Sequence, residues 1–222
     1  MIVQSNRRFS LYLIIGLFSV IYALIFFVFC LLSESSILLL FIKSSTPALT
    51  LTFLLTSWPK CYSYLVRMNN WISFLPPLLD LNGEWQVNIE SNWPRIEKLT
   101  KKVNTKPKLK KVTGTLKLKC NFFQTSGYFE VDDKDSNRNS RTYRSDLVAS
   151  SLRKENDHFL LSYIAKANVK NPDTKTDEQH YLFSSEVTFQ SGELNQSSGY
   201  YWTNRKYNTG HNAAGELQLI RK

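Results

Sequence analysis

Two long apolar runs open the chain, and a two-residue alternation of apolar and polar positions fills its second half. Residues 11–32 carry no charge. At about 1.5 Å per residue a helix of this length matches a hydrocarbon core about 30 Å thick. The run therefore predicts a membrane-spanning helix over about residues 9–32. A cleaved signal peptide is the alternative, with Arg7 and Arg8 as its basic start. The apolar stretch is longer than a usual signal core, however, and no small-x-small cleavage site follows in Ser33, Glu34, Ser35 and Ser36. The second run predicts another spanning helix over residues 37–57. Lys43 and Pro47 interrupt it. A lysine near mid-bilayer costs about 2.5–3.5 kcal/mol, and a proline removes one helix hydrogen bond. Lys43 either snorkels to the interface or lines a protein- or water-facing surface.

The link at residues 33–36 is short, so the two helices should be antiparallel neighbours. Gly16, Ser19 and Ala23 fall on one face of the first helix. Small residues let membrane helices approach closely. That face serves either packing within the hairpin or a seam between copies. Arg7 and Arg8 precede the first helix, Lys60 and Arg67 follow the second, and the link carries only Glu34. By the positive-inside rule both termini face the cytoplasm, which predicts a multi-pass membrane protein with its large domain in the cytosol.

After the hairpin the pattern changes twice. Residues 60–75 place Tyr64, Leu65, Trp71, Ile72 and Phe74 beside Lys60 and Arg67. This suits a short amphipathic helix at headgroup depth, ended by Pro76 and Pro77. From Asn82 onward the period is two. Val112, Gly114, Leu116, Leu118, Cys120 and Phe122 share one face, with lysines, threonines and Asn121 on the other. That is a half-buried strand. Strands are expected at 84–89, 111–122, 127–131, 141–150, 158–167, 180–189, 199–207 and 215–221, with no helix pattern between them. Eight such strands predict an up-and-down antiparallel β-barrel of lipocalin type, which removes exposed edges and can hold one small ligand. The expected organisation is a transmembrane region at 1–58, an amphipathic juxtamembrane linker at 59–80 and a ligand-sensing barrel at 81–222.

Charge sharpens this picture. Residues 1–80 hold five basic and two acidic groups, and residues 81–222 hold 23 and 16. A basic domain beside a membrane attracts anionic lipid, nucleic acid or nucleotide. Residues 95–119 hold ten basic groups against Glu97 alone, which reads as a solvated basic loop or a lipid-facing patch. Cys30, Cys61 and Cys120 form no disulfide framework. His158, His180 and His211 are scattered, so no metal centre is expected. No nucleophile elbow, phosphate loop or His-Glu-x-x-His motif occurs, and an enzyme is not expected.

Candidate recognition residues follow from strand alternation. In the run from Gly199 to Tyr207, Tyr201, Thr203, Arg205 and Tyr207 would share one face. Arg141 and Tyr143 repeat the arginine-plus-aromatic pattern on another strand. Arginine forks match phosphate geometry, and aromatic rings stack on bases. The alternative is that the rings fill the barrel and the charges face water. Gly83-x-Trp85 opens the first strand and Arg221 ends the last, a pairing that looks like the lipocalin signature. There an indole plugs one end of the barrel and an arginine stacks across it.

Two spanning helices, an aromatic linker, Leu81-Asn82-Gly83-Glu84-Trp85 and a β-rich tail running from Gly215 to Arg221 together resemble a bacterial antiphage family. It is the CBASS transmembrane β-barrel effector family, also described as SMODS-associating, two-transmembrane and β-strand-rich. The resemblance covers nearly the whole chain. It implies that the barrel binds a cyclic oligonucleotide, expected to be a cyclic dinucleotide, made by a companion nucleotidyltransferase. It further implies that the effector then forms a homo-oligomer, disrupts the inner membrane and kills the infected cell. No other cofactor, and no DNA or RNA polymer, is expected. A membrane-tethered carrier of lipid or another small apolar molecule is the alternative reading. A membrane adaptor that only holds anionic lipid through its basic stretch is a third.

Overall fold

The computed structural model describes residues 7–32, 37–71, 79–101, 108–121, 123–133, 141–169, 178–191 and 193–222. Two apolar helices, α1 (Arg7–Leu32) and α2 (Ile37–Ser57), form the hairpin. Within them Ile14–Leu32 and Leu39–Ser57 are long and apolar enough to cross a membrane. The seam between them is set by Leu40, Ser44, Ala48, Thr52 and Thr56, all buried on one face of α2. The hydroxyls of Ser44, Thr52 and Thr56 donate to carbonyls one turn back, so the small polar residues are satisfied inside their own helix. From α1, Ile21 is buried, and Tyr22 and Phe26 pack their rings on Phe41. Gly16, Ser19 and Ala23 are exposed, and Gly16 has open space around its Cα. They lie away from the buried seam of the hairpin. The larger side chains of α1 fill that seam instead. Lys43 is exposed on α2.

A third helix, α3 (Pro59–Trp71), follows at once. One face carries the exposed Trp58 side chain just ahead of it, then Tyr64, Met68 and Trp71. The other face buries Tyr62 and Val66 in the same apolar core as the barrel. The helix is thus both amphipathic and a plug for one barrel end.

The eight strands are β1 (Gly83–Ser91), β2 (Lys110–Cys120), β3 (Thr125–Asp133), β4 (Arg141–Glu155), β5 (His158–Val169), β6 (His180–Gln190), β7 (Gln196–Thr203) and β8 (Ala214–Arg221). Each pairs antiparallel with the next, and β8 pairs with β1, so the barrel is closed. Alternation explains the interior. Leu116, Leu118 and Cys120 point in from β2, and Phe159, Leu161, Tyr163, Ala165, Ala167 and Val169 from β5. Phe122 lies outside the described residues. A register shift between Leu147 and Ala149 extrudes Val148 and keeps Ser145, Ser150 and Leu152 on the inner face of β4.

Two features depart from the sequence reading. A short helix, α4 (Trp93–Lys101), stands between β1 and β2, where no helix was expected. It takes in Arg95, Lys98 and Lys101 of the basic stretch, while residues 102–107 lie outside the described residues. Strand β7 ends at Thr203, four residues before Tyr207. There the Asn204 side chain accepts the Leu182 amide at 2.7 Å and its backbone donates to the Leu182 carbonyl. Lys206 then takes a left-handed conformation, and residues Tyr207–Thr209 form a single 3-10 turn, η1.

Candidate functional site

The strand directions give the barrel two unlike ends. The chain enters from α3 at one end, where β1 begins and β8 finishes. Trp85 is fully buried there. Its indole N–H donates to the Leu81 carbonyl at 3.0 Å, and its ring meets Phe189 edge-on at 5.5 Å. The Arg221 guanidinium lies 4.8 Å from the Trp85 ring and donates to the carbonyls of Asp80 (2.6 Å) and Asn82 (3.0 Å). Gly83 sits between them at a φ of 124°, which side chains disfavour. Asn82 ties this floor to the helices. Its amide donates to the Pro59 carbonyl, the Ser63 hydroxyl and the Cys120 carbonyl, and its oxygen accepts the Cys120 amide at 2.6 Å. The Asn121 side chain donates to the Ser57 carbonyl at 2.8 Å, and the Tyr62 hydroxyl to the Leu79 carbonyl. Burial among these groups pushes the Cys120 thiol up to about 12 and raises the Tyr62 hydroxyl as well.

The distal end gathers the starts of β2, β4, β6 and β8 and the ends of β1, β3, β5 and β7. The topology brings the recognition candidates here. Arg141 and Tyr143 stand at the start of β4, and Tyr201 and Thr203 close β7 three strands away. The side chains of Arg141 and Tyr143 lie outside the described residues. Tyr201 is buried. Burial raises its hydroxyl pKa, against an opposing hydrogen bond to Ser91 and the nearby charge of Arg205. The Thr203 hydroxyl accepts the Ala213 amide at 2.9 Å, so it closes the turn between β7 and β8.

Arg205 and Tyr207 are not strand residues and do not alternate with Tyr201. The two part company in the turn. Tyr207 is 74% exposed. Arg205 folds back over the mouth with its guanidinium carbon 4.0 Å from the Trp93 ring and 5.5 Å from that of Tyr181. His211 is buried alongside, its ring 6.1 Å from Trp93 and its Nδ1 2.8 Å from the Thr209 hydroxyl.

Trp93, Tyr181 and His211 were missed in the sequence. A signal for Trp93 existed, because Asn92-Trp93-Pro94 is a helix start. Asn92 accepts the first helical amides and its side chain accepts the Ala214 amide, which pins α4 to β8. Below this cluster Phe129, Tyr163 and Phe183 form an edge-to-face layer. The hydroxyls of Ser145 and Ser185 are buried near it. Burial pushes the Tyr163 hydroxyl up to about 12 despite a hydrogen bond to Ser185. The barrel thus grades from a dry floor to a mouth of rings, hydroxyls and one described guanidinium. Such a mouth can stack planar bases and pair a phosphate. Among the described residues no group of histidines, cysteines and carboxylates could hold a metal.

No protein-family model matches the chain. Among curated proteins, CD-NTase-associated protein 15 of Escherichia albertii is 27% identical over 143 residues. The matched stretch takes in 64% of this chain and 62% of that protein, less than two thirds of its length. The chain is thus similar to CD-NTase-associated protein 15, and its two apolar helices and closed eight-stranded barrel are consistent with the CBASS transmembrane β-barrel effectors that its sequence resembles.

Proposed function

We propose that this protein is an antiphage CBASS effector whose barrel senses a cyclic oligonucleotide, expected to be a cyclic dinucleotide. A companion nucleotidyltransferase makes the ligand. Binding drives the chain to oligomerise in the inner membrane, which the hairpin then disrupts. The similarity to a protein named for its association with a CD-NTase carries this reading. The distal mouth supports it, with Arg205 stacked on Trp93 close to Tyr181 and with Arg141 and Tyr143 at the head of β4. The lower barrel argues against a lipid carrier. Trp85, Phe159, Phe189, Leu116, Leu161 and Leu219 fill it with no exposed surface, so an acyl chain along the axis would have to displace them.

The test is dye release from liposomes holding the full chain, with a panel of cyclic di- and trinucleotides. Release on addition of one member is expected, as is loss of that release in Arg205→Ala. A panel that releases nothing from folded, inserted protein contradicts the proposal. A reporter fusion at Lys222 tests the orientation. Activity of an export-dependent reporter would place the barrel outside the cytoplasm.

A further inference from the structure

We propose that the floor end of the barrel lies on the leaflet from which the hairpin emerges. The outward face of α3 and the turn between β2 and β3 would then sit at the depth of anionic phospholipid headgroups. The inference rests on the hairpin spanning the membrane and holds whichever ligand the mouth takes.

The barrel begins where the span ends. The apolar stretch of α2 closes at Ser57, and α3 starts at Pro59. Backbone bonds bridge the junction: the Trp58 amide donates to the Leu54 carbonyl at 3.1 Å and the Tyr62 amide to the Trp58 carbonyl at 3.0 Å. With no free linker between the two helices, α3 starts inside the interfacial layer. The turn between β2 and β3 reaches the same level. Asn121 bonds the Ser57 carbonyl, and the Phe123 ring lies 5.9 Å from that of Phe53. Phe53 stands inside the span, about 6 Å from its end at helical rise. Phe123 is still 40% exposed there, so a ring on a barrel turn faces the layer that surrounds a spanning helix.

The barrel takes one face of α3 and leaves the other. Tyr62, Val66 and Asn69 are buried at helical spacing. Lys60, Tyr64, Arg67, Met68 and Trp71 follow the same spacing on the opposite face, and all are exposed, Trp71 by 90%. Tryptophan and tyrosine beside lysine and arginine are the composition of a membrane–water interface, where apolar bodies meet acyl chains and polar tips stay among headgroups. Helix α3 has two cations and no carboxylate, and Lys119 is exposed at the floor end of β2. Cations at this depth favour anionic lipid. A second protein is a poorer fit for this face, because the centre of a protein interface is depleted in charge, lysine above all. Here Lys60 and Arg67 stand among the rings. A headgroup layer accommodates both kinds of side chain at once. Helix α3 then touches the bilayer with one face and the barrel core with the other, and the barrel stands upright with its mouth away from the membrane.

The test is spin-label contact on the full chain in liposomes of phosphatidylglycerol and phosphatidylcholine. Cys30→Ser and Cys61→Ser remove competing thiols, and Cys120, being buried, stays in place. Single labels go at Met68→Cys on α3, Gln124→Cys in the β2–β3 turn, Leu24→Cys in α1 and Asn212→Cys at the mouth. Contact with oxygen, which concentrates in lipid, is read against contact with a nickel chelate, which stays in water. The oxygen-to-nickel ratio at Met68→Cys and Gln124→Cys is expected to exceed that at Asn212→Cys several-fold and to fall below that at Leu24→Cys. Lys60→Gln with Arg67→Gln is expected to lower the ratio at Met68→Cys, as is omission of phosphatidylglycerol. If Met68→Cys and Gln124→Cys match Asn212→Cys while Leu24→Cys reads as lipid, the hairpin spans and the proposal is overturned. Loss of contact with both reagents at Met68→Cys and Gln124→Cys marks cover by protein, such as a second copy, and overturns it too. A ratio at Met68→Cys that ignores both lipid charge and the two cations overturns the preference for anionic headgroups. If Leu24→Cys itself reads as water, the spanning hairpin fails and the inference with it.

Discussion

Arg205 shows how a single side chain can be legible in type and illegible in place. Strand alternation marks it as a phosphate-pairing candidate, and it does stand at the barrel mouth. It gets there through a turn, held by Asn204 and the left-handed Lys206, and not as the continuation of β7. Its ring partner Trp93 comes from a helix more than a hundred residues away in sequence, which no local period announces. Trp85 and Arg221 were more legible, because Gly-x-Trp is a local signal and closure of the barrel sets the last strand, which Arg221 ends, beside the first. On the proposed function, Arg205→Ala should weaken nucleotide binding by about 1–3 kcal/mol, as for a hydrogen bond to a charged group. Arg205→Lys should recover only part of that, since an ammonium keeps the charge and loses the planar stack. Calorimetric titration of both variants reads the difference.

Cys120 gives a pH prediction. Its folded thiol is raised to about 12 by burial, so the fold favours the protonated form. That contribution is fully present below the unfolded thiol value and is lost as pH rises toward the folded one. Between about pH 8.5 and 12 the native chain should lose stability as the unfolded thiol ionises. Alkylation of the native protein at pH 8.5 should label exposed Cys30 in detergent and spare Cys120, with Cys120 labelled only on denaturation. Equal labelling rates, read by mass spectrometry, would contradict this.

The strands were legible because a half-buried strand writes its face into every second residue, and all eight appear in the expected order, with β7 starting and ending earlier than expected. Helix α4 was not, because a nine-residue helix rich in charge gives a weak apolar pattern, with Ile96 buried among its described side chains. Helix α3 was legible as amphipathic, yet its apolar face looked like a membrane face. Tyr62 and Val66 turn out to enter the barrel core, and the exposed rings belong to the opposite side. The barrel floor is therefore built from both sides of the presumed linker boundary. Val66→Asp puts an unpaired carboxylate in that core and should cost about 3 kcal/mol or more. Thermal unfolding of the full chain measures it. In β7, a side chain at Gly199 would collide with the Glu186 carbonyl and the Val187 backbone. Gly199→Val should cost about 1–3 kcal/mol by forcing β6 and β7 apart.

The whole molecule is a plugged barrel fastened to the helices by Asn82 and Asn121 at one end, with its recognition candidates at the other. Distance between the two ends means that any signal must pass through the barrel wall or through contacts between barrels. The hairpin was legible from length and charge alone, while the fastening was not, because its bonds join residues far apart in sequence. On the proposed function the distal mouth is the sensor. Its most direct test is calorimetric titration of the full chain, in detergent, with a panel of cyclic di- and trinucleotides. Using the full chain keeps Tyr62 and Val66 in the core. Saturable binding of one panel member is expected, weakened about tenfold or more in Arg205→Ala. A folded chain that binds no member of the panel would contradict it.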